Sequence, residues 1–414
     1  MPLHQSDGTG NRHSPSFAGL DRTSGRARSI AIGSIVLLVL ATPARAQSVA
    51  DVLTFLVTNH SVQTGSFERD RDAALATSET ISRALLANLA TLPITTSSGA
   101  FVYRLNPELG TVERGTQSFG PFFVERALTA GERQASVGMT FQHLRFKSLD
   151  GSNLRDGSLI TTANQFVDEA EPFDVDRLAL RIDADIATLY GNVGVTDAIE
   201  VGFAAPIVAL RLNGTLVNTY RGRAFTQATA TATAIGLADL VLRTKATVFN
   251  EEGMGLAAAV DVRLPTGHKE DLLGAGSPSL KLSAIGSMER GRLSAHADVG
   301  ATAGGLAREL HYGGAVAIAA TGRVTLSGEM LGRWLDSFGH IVATSAPNPG
   351  LIGVQTIRLT PDASTLQTIT AVPGFKWNLA DTWVLNANVS VPLTKGGLIT
   401  SITPFIGLDY AFAR

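Results

Sequence analysis

From about residue 99 to the end of the chain, apolar residues recur at every second position, in stretches too long for ordinary soluble strands. In Arg177–Ala187 one face carries Arg177, Ala179, Arg181, Asp183 and Asp185, and the other carries Leu178, Leu180, Ile182, Ala184 and Ile186. Leu240 and Leu242 oppose Asp239, Arg243 and Lys245 in the same way. So do Leu293, Ala295, Ala297 and Val299 against Ser294, His296 and Asp298, and Leu385, Ala387 and Val389 against Asn386, Asn388 and Ser390. A period of two is the signature of strands with two unlike faces. Strands that cross a bilayer need about 9–11 residues, whereas strands in general average about 5–6.

The pattern predicts fourteen strands, at 99–105, 117–126, 133–146, 174–190, 196–212, 236–249, 255–266, 278–288, 292–302, 311–320, 323–335, 365–378, 382–393 and 401–412. Their connections alternate short and long. Ala130–Glu132, Gly191–Val195, Asn250–Met254, Glu289–Gly291, Thr321–Gly322 and Leu379–Asp381 are tight, while those near 147–173, 213–235 and 336–364 are long and rich in Gly, Asn, Thr and Asp. Short turns on one side and long loops on the other mark an outer-membrane barrel, with both chain ends on the short-turn, periplasmic side. Closure has a physical cause: the bilayer core offers no water to an unpaired sheet edge. The expected fold is therefore all-β, a transmembrane antiparallel barrel of about fourteen strands over 99–414.

Composition agrees. Of 414 residues, 17% are charged and 44% apolar, with 42 Gly and no Cys. About 25% charged is usual for soluble domains. The absence of Cys excludes thiolate metal sites, disulfides and a cysteine nucleophile. With 34 basic and 36 acidic residues, there is no basic excess to recruit nucleic acid.

The N-terminal part is organised differently. Arg22, Arg26 and Arg28 precede the apolar run Ile30–Leu40, and Ala44-Arg45-Ala46 follows just before Gln47. A basic region, a short apolar run and a small-residue site form a secretory signal peptide, expected to end between Ala46 and Gln47. Residues 47–98 form the next unit. Val49, Val52, Leu53, Leu56 and Val57, and then Ala74, Leu75, Ile81, Leu85, Leu86 and Leu89, recur at helical spacing, with Pro93 as a stop. Such a pair of amphipathic helices cannot bury its apolar stripe alone. It is expected to plug the lumen, with the mixed charges Glu68, Arg69, Asp70, Arg71 and Asp72 pairing with lumen residues.

Gly236–Lys245, Gly255–Gly267 with its Leu264-Pro265-Thr266-Gly267, Leu273–Gly276 and Phe119–Leu128 together resemble the bacterial "MetA-pathway of phenol degradation" transporter-like family, related in architecture to fatty-acid channels of the FadL type. The resemblance covers about 99–414 and is sharpest over 236–300. It implies a barrel with an N-terminal hatch and uptake of small hydrophobic or aromatic compounds.

Chemistry-bearing motifs are few. The eight His residues show no metal-ligand spacing, and there is neither an H-E-x-x-H nor a G-x-S-x-G motif. Ser294 and His296 share one strand face, which by default is a solvated inward pair. Asp168, Glu169, Glu171, Asp174 and Asp176 form an acidic run that reads as a solvated loop ahead of a Ca²⁺ site. No cofactor, no metal and no catalytic residue is therefore expected, and the chain does not read as an enzyme. Charges on membrane strands carry more information, since Arg or Lys facing lipid at the midplane costs about 2–4 kcal/mol. Arg177, Arg181, Asp183, Asp185, Arg243, Lys245, Asp261, Arg263, Lys281, His296 and Asp298 are accordingly expected to line the lumen. Two functions fit: a channel for small, hydrophobic or aromatic solutes, or a structural, surface-binding barrel with a closed lumen. A secreted soluble sandwich is a third. For either barrel, the expected surroundings are outer-membrane lipid and lipopolysaccharide.

Overall fold

Twelve strands pair edge to edge into a closed antiparallel barrel in the computed structural model, which describes residues 47–64, 67–90, 103–106, 111–114 and 118–412. Ala44 and Ala46, and with them the expected signal peptide, lie outside the described residues. So do the side chains of Glu68, Arg69 and Asp70.

Two helices, α1 (Val49–Thr58) and α2 (Phe67–Ala90), come first. β1 (Tyr103–Asn106) and β2 (Thr111–Arg114) pair only with each other among the described residues. Then follow β3 (Ala135–Leu149), β4 (Ser152–Asn153), β5 (Leu159–Phe166), β6 (Asp174–Gly194), β7 (Ile199–Tyr220), β8 (Arg223–Leu237) and β9 (Leu240–Glu251). Next are β10 (Met254–Leu264), β11 (Ser279–Arg290), β12 (Leu293–Gly304), β13 (Glu309–Ala319), β14 (Val324–Leu335), β15 (Ile341–Pro347) and β16 (Val354–Pro361). The last are β17 (Leu366–Ala380), β18 (Trp383–Pro392), β19 (Leu398–Thr400) and β20 (Thr403–Phe412). The barrel circuit runs β3-β6-β7-β9-β10-β11-β12-β13-β14-β17-β18-β20 and back to β3.

The expected count of fourteen is corrected to twelve, and the two excess strands are the first two. Part of 99–105 falls in β1, outside the circuit. Residues 118–130 form no strand; they run as an irregular strap inside the barrel. Pro121 removes one backbone donor, and the N–H groups of Phe119, Phe122, Phe123 and Val124 find side-chain acceptors in the lumen instead of a neighbouring strand.

The outward face of the barrel is an apolar belt. Met139, Phe141, Leu189, Phe203, Ile207, Leu242, Leu256, Leu282, Val299, Val316, Leu326, Met330, Phe375 and Ile406 are all exposed on it. Tyr312 and Trp334 stack toward the long-loop end, and Trp383, Tyr410 and Phe412 toward the short-turn end. An apolar surface of this extent, edged by aromatic rings, is what a bilayer-spanning barrel presents to lipid.

The long loops are corrected as well, because they are folded. β6 has 21 residues and β7 has 22. At about 3.3 Å per residue each spans roughly 70 Å, far beyond a hydrocarbon core of about 30 Å. Above the belt, β8 continues the wall of β7, and β5 pairs with β6 and with β16, which pairs with β15. This upper sheet curves around α1 and α2. Its inward residues Leu178, Leu180, Ile182, Leu210, Leu212 and Leu216, with Ala228, Ala232 and Ala234 of β8, join Val52, Leu53, Leu56, Ile81, Leu85 and Leu89 in one apolar core. Burying such side chains contributes about 1.5–3 kcal/mol each. The alternating Thr and Ala of β8 give that wall a shallow inner face, which lets α1 come close.

Two details seat α1. Ser48 and Asp51 form a capping box, with Asp51 N–H donating to Ser48 Oγ at 3.1 Å. Gly214 of β7 leaves the space that Leu56 occupies: a Cβ there would lie 2.3 Å from Leu56 Cδ1. α1 and α2 are joined through Thr54 and Ser78, whose hydroxyls are 2.9 Å apart. The link between the helices is tied to the outer end of the wall. Val62 N–H donates to Gln227 Oε1 at 2.7 Å, and Thr64 Oγ1 donates to Asn218 Oδ1 at 2.9 Å.

Candidate functional site

The pleat of β6 and β7 never slips, yet its polarity reverses along the strand. Near the short turns the inward residues are polar (Thr188, Asn192, Glu200) and the outward ones apolar (Leu189, Val193, Ile199, Phe203). Above the belt the inward residues turn largely apolar (Leu178, Leu180, Ile182, Leu210, Leu212, Leu216), with Asp174, Asp176 and Asn218 buried at the far end, and the outward ones include Arg177, Arg181, Asp183, Asp185 and Arg211. The expectation that Arg177, Arg181, Asp183 and Asp185 line the lumen is therefore corrected: all four lie on the outer face. There Asp185 pairs with Arg211 and with His143 Nδ1 at 2.7 Å, and Asp183 with Arg155 at 3.2 Å and Arg145 at 3.4 Å. The physical cause is that this part of the wall stands above the lipid, so its outside is wet and its inside is a helix-filled core.

Arg243, Lys245, Asp261, Arg263, Lys281, His296 and Asp298 point inward. The lower ones grip the strap. Arg243 forks onto Asp261 and also reaches Glu125 of the strap. Lys245 lies 3.4 Å from Glu200 and 3.9 Å from Glu125, and donates to Arg126 O at 3.3 Å. The sequence predicts that these lumen charges meet the mixed cluster at 68–72; among the described residues the partners of Arg243 and Lys245 are strap and wall residues.

The residues that sequence reasoning missed are the strap's acceptors and donors. Glu329 takes three consecutive backbone N–H groups, from Phe122, Phe123 and Val124, at 2.5, 2.7 and 2.8 Å. Thr325 Oγ1 accepts from Phe119 N–H at 3.0 Å, Ser287 Oγ from Ala127 N–H at 2.8 Å, and Glu200 from Ala130 N–H at 2.8 Å. Lys376 Nζ donates to Pro121 O at 3.0 Å, and Arg126 pairs with Glu289 at 3.1 Å. Glu200, Glu329 and Lys376 stand at inward positions of expected strands, so the same alternation that flagged Arg243 contained the signal for them.

Ser294 and His296 do not form a pair. Ser294 Oγ is 2.9 Å from Ser118 Oγ, and His296 Nδ1 is 2.9 Å from Ser287 Oγ, beneath the strap. The acidic run divides: Asp168, Glu169 and Glu171 are exposed, whereas Asp174 and Asp176 are buried and hold Asn218 at 2.6 and 2.8 Å. Among the described residues no group of His, Asp and Glu has the arrangement to hold a metal ion.

Between the strap below and α2 above lies a chamber of about 240 Å³. Phe123 and Glu125 form its floor, and Asn88 of α2 reaches it from the other end. Its β9–β14 wall is charged: Arg243, Asp261, Arg263, Lys281, Asp298, Glu309, His311 and Arg333. Arg333 pairs with Glu309 at 2.9 Å, and His311 lies 3.3 Å from Asp298. The opposite side brings Leu144, Leu398 and Phe405, with Thr370, Ser390 and Thr403.

No family model matches the sequence, and no curated protein does. Solved structures similar to the chain include an outer-membrane channel from Pseudomonas putida F1, with 13% identity and a TM-score of 0.46 over 73% of this chain and 100% of that one. The KdgM porin in complex with disordered oligogalacturonate has 7% identity and a TM-score of 0.35 over 67% and 99% of the two chains. OprB of Pseudomonas putida has 8% identity and a TM-score of 0.26 over 68% and 93%. With these scores below 0.5, the closed barrel rests on the strand pairings themselves.

Proposed function

We propose that the protein is an outer-membrane channel for small solutes, held closed by the strap at the periplasmic end and by the helical pair at the outer end. The observation that carries this reading is the chamber: a space lined by charge on one side and apolar residues on the other, inside a wall whose outside is apolar. Filling a lumen for rigidity alone needs no such space. Outer-membrane lipid and lipopolysaccharide surround the belt, and a signal peptide cleaved between Ala46 and Gln47 delivers the chain. Within the 47–98 unit, α1 and α2 then act as an outer cap, and the strap is the inner gate. The hydrophobic or aromatic solute implied by the family resemblance finds apolar contacts on one side of the chamber only, so the solute must also tolerate charge.

The strap itself favours a second reading, a structural barrel with a permanently closed lumen. Its backbone donates four N–H groups to wall carboxylates, three to Glu329 and one to Glu200, so opening needs several charge-assisted bonds to break at about 1.5–3 kcal/mol each. Planar-bilayer conductance of purified wild-type protein and of Glu329→Ala separates the two. Gated or raised conductance in the variant supports the channel, and two silent proteins support the closed barrel. Recovery of the chain in the soluble periplasmic fraction, instead of the detergent-extracted outer membrane, would overturn both.

A further inference from the structure

The chamber is two-faced, and its two faces stand across from each other. In the twelve-strand circuit, β11 and β12 lie opposite β20 and β3. β11 contributes Lys281. β20 contributes Phe405, which meets Phe123 of the strap edge to face at 5.3 Å, and β3 adds Leu144 above it.

Lys281 stands apart from the two arginines beside it. Arg333 donates through Nη2 to Glu309 at 2.9 Å, and Arg243 forks onto Asp261. The Lys281 ammonium has Asp261 at 4.0 Å, beyond hydrogen-bond reach, and that carboxylate is already held by the Arg243 fork. It makes no hydrogen bond to the described residues and opens onto the chamber. An ammonium carries three donors, each of which needs an acceptor. The chamber beside it, about 240 Å³, has room for a molecule of the size of benzoate.

We infer that the chamber binds a small amphiphilic carboxylate, its carboxylate on Lys281 and its apolar body against Phe405, Phe123 and Leu144. This rests on the channel reading for its purpose, but not for its test. Calorimetric titration of the full-length protein in detergent, with benzoate, its neutral counterpart benzamide, and acetate, decides it. Benzoate is expected to bind saturably and at least tenfold more tightly than either of the others. Less than a tenfold margin over benzamide removes the role of the cation, and less than a tenfold margin over acetate removes that of the apolar wall; either overturns the inference. Lys281→Met is expected to weaken benzoate at least tenfold and to leave benzamide unchanged, and equal benzoate binding by the variant overturns it too. The wild-type comparison stands alone if the variant fails to assemble. Benzoate binding without any bilayer conductance would sink the channel and keep the site; conductance without benzoate binding would do the reverse.

Discussion

The short-turn end of the lumen is filled by a chain segment with no regular structure, held through its backbone by carboxylates, hydroxyls and two lysines of the wall. The long-loop end is filled by two regular helices, held through leucine, isoleucine, valine and alanine side chains. One wall serves both, and on β6 and β7 it changes the chemistry of its inner face between the two ends without a register slip. The difference follows from what lies outside. Where the outside is lipid, apolar residues are spent there and the interior is left polar, so whatever fills it must be bonded. Where the outside is water, the charges go out and the interior becomes an ordinary apolar core.

That contrast can be broken at the helical end first, where the largest effect is expected. Leu56 is fully buried among apolar side chains, so Leu56→Asp places an unpaired charge in the core. Loss of α1 docking should make 47–64 freely cleavable by protease while the barrel stays folded; protection at wild-type level would mean that α1 is not held by this core. Glu329→Ala acts next, at the strap. Three backbone donors lose their acceptor, at about 1–3 kcal/mol for each group left unsatisfied. Hydrogen exchange over 118–130 should rise sharply and exchange in α1 should not, and equal changes in both would show the two closures to be one unit. Gly214→Ala is a smaller push on the helical side. Its new methyl meets Leu56, and overpacking of this kind costs about 1–3 kcal/mol, read as faster exchange in α1 with the strap unaffected. Arg181→Ala should do least, within about 0.5 kcal/mol on thermal unfolding, because the side chain stands in water on the outer face. A large effect there would mean that the upper wall is not exposed as described.

Alternation located every one of the twelve barrel strands, because a strand with lipid on one side and lumen on the other must alternate whatever its partners are. The helices were legible for the same kind of reason: Val49, Val52, Leu53 and Leu56 fall on one stripe. What alternation cannot give is which side is which. Leu178–Ile186 reads identically whether its leucines meet lipid or a helix, so alternation points Arg181 and Asp183 to the lumen just as it does Arg243 and Asp261, and only the second pair lies inward.

The strap marks the other boundary. Phe119–Glu125 has the composition of a strand; Gly120-Pro121 is a local sign against one, but nothing local names Glu329 and Thr325, about 200 residues further along, as the acceptors of its N–H groups. The period, the strand positions and the helical stripe are legible in the chain alone, since these depend only on neighbours along it. The strand count, the inward partners of the lumen charges and the position of Lys281 across from Phe405 emerge only from the closed barrel, because each of these depends on which distant residues its closing brings together.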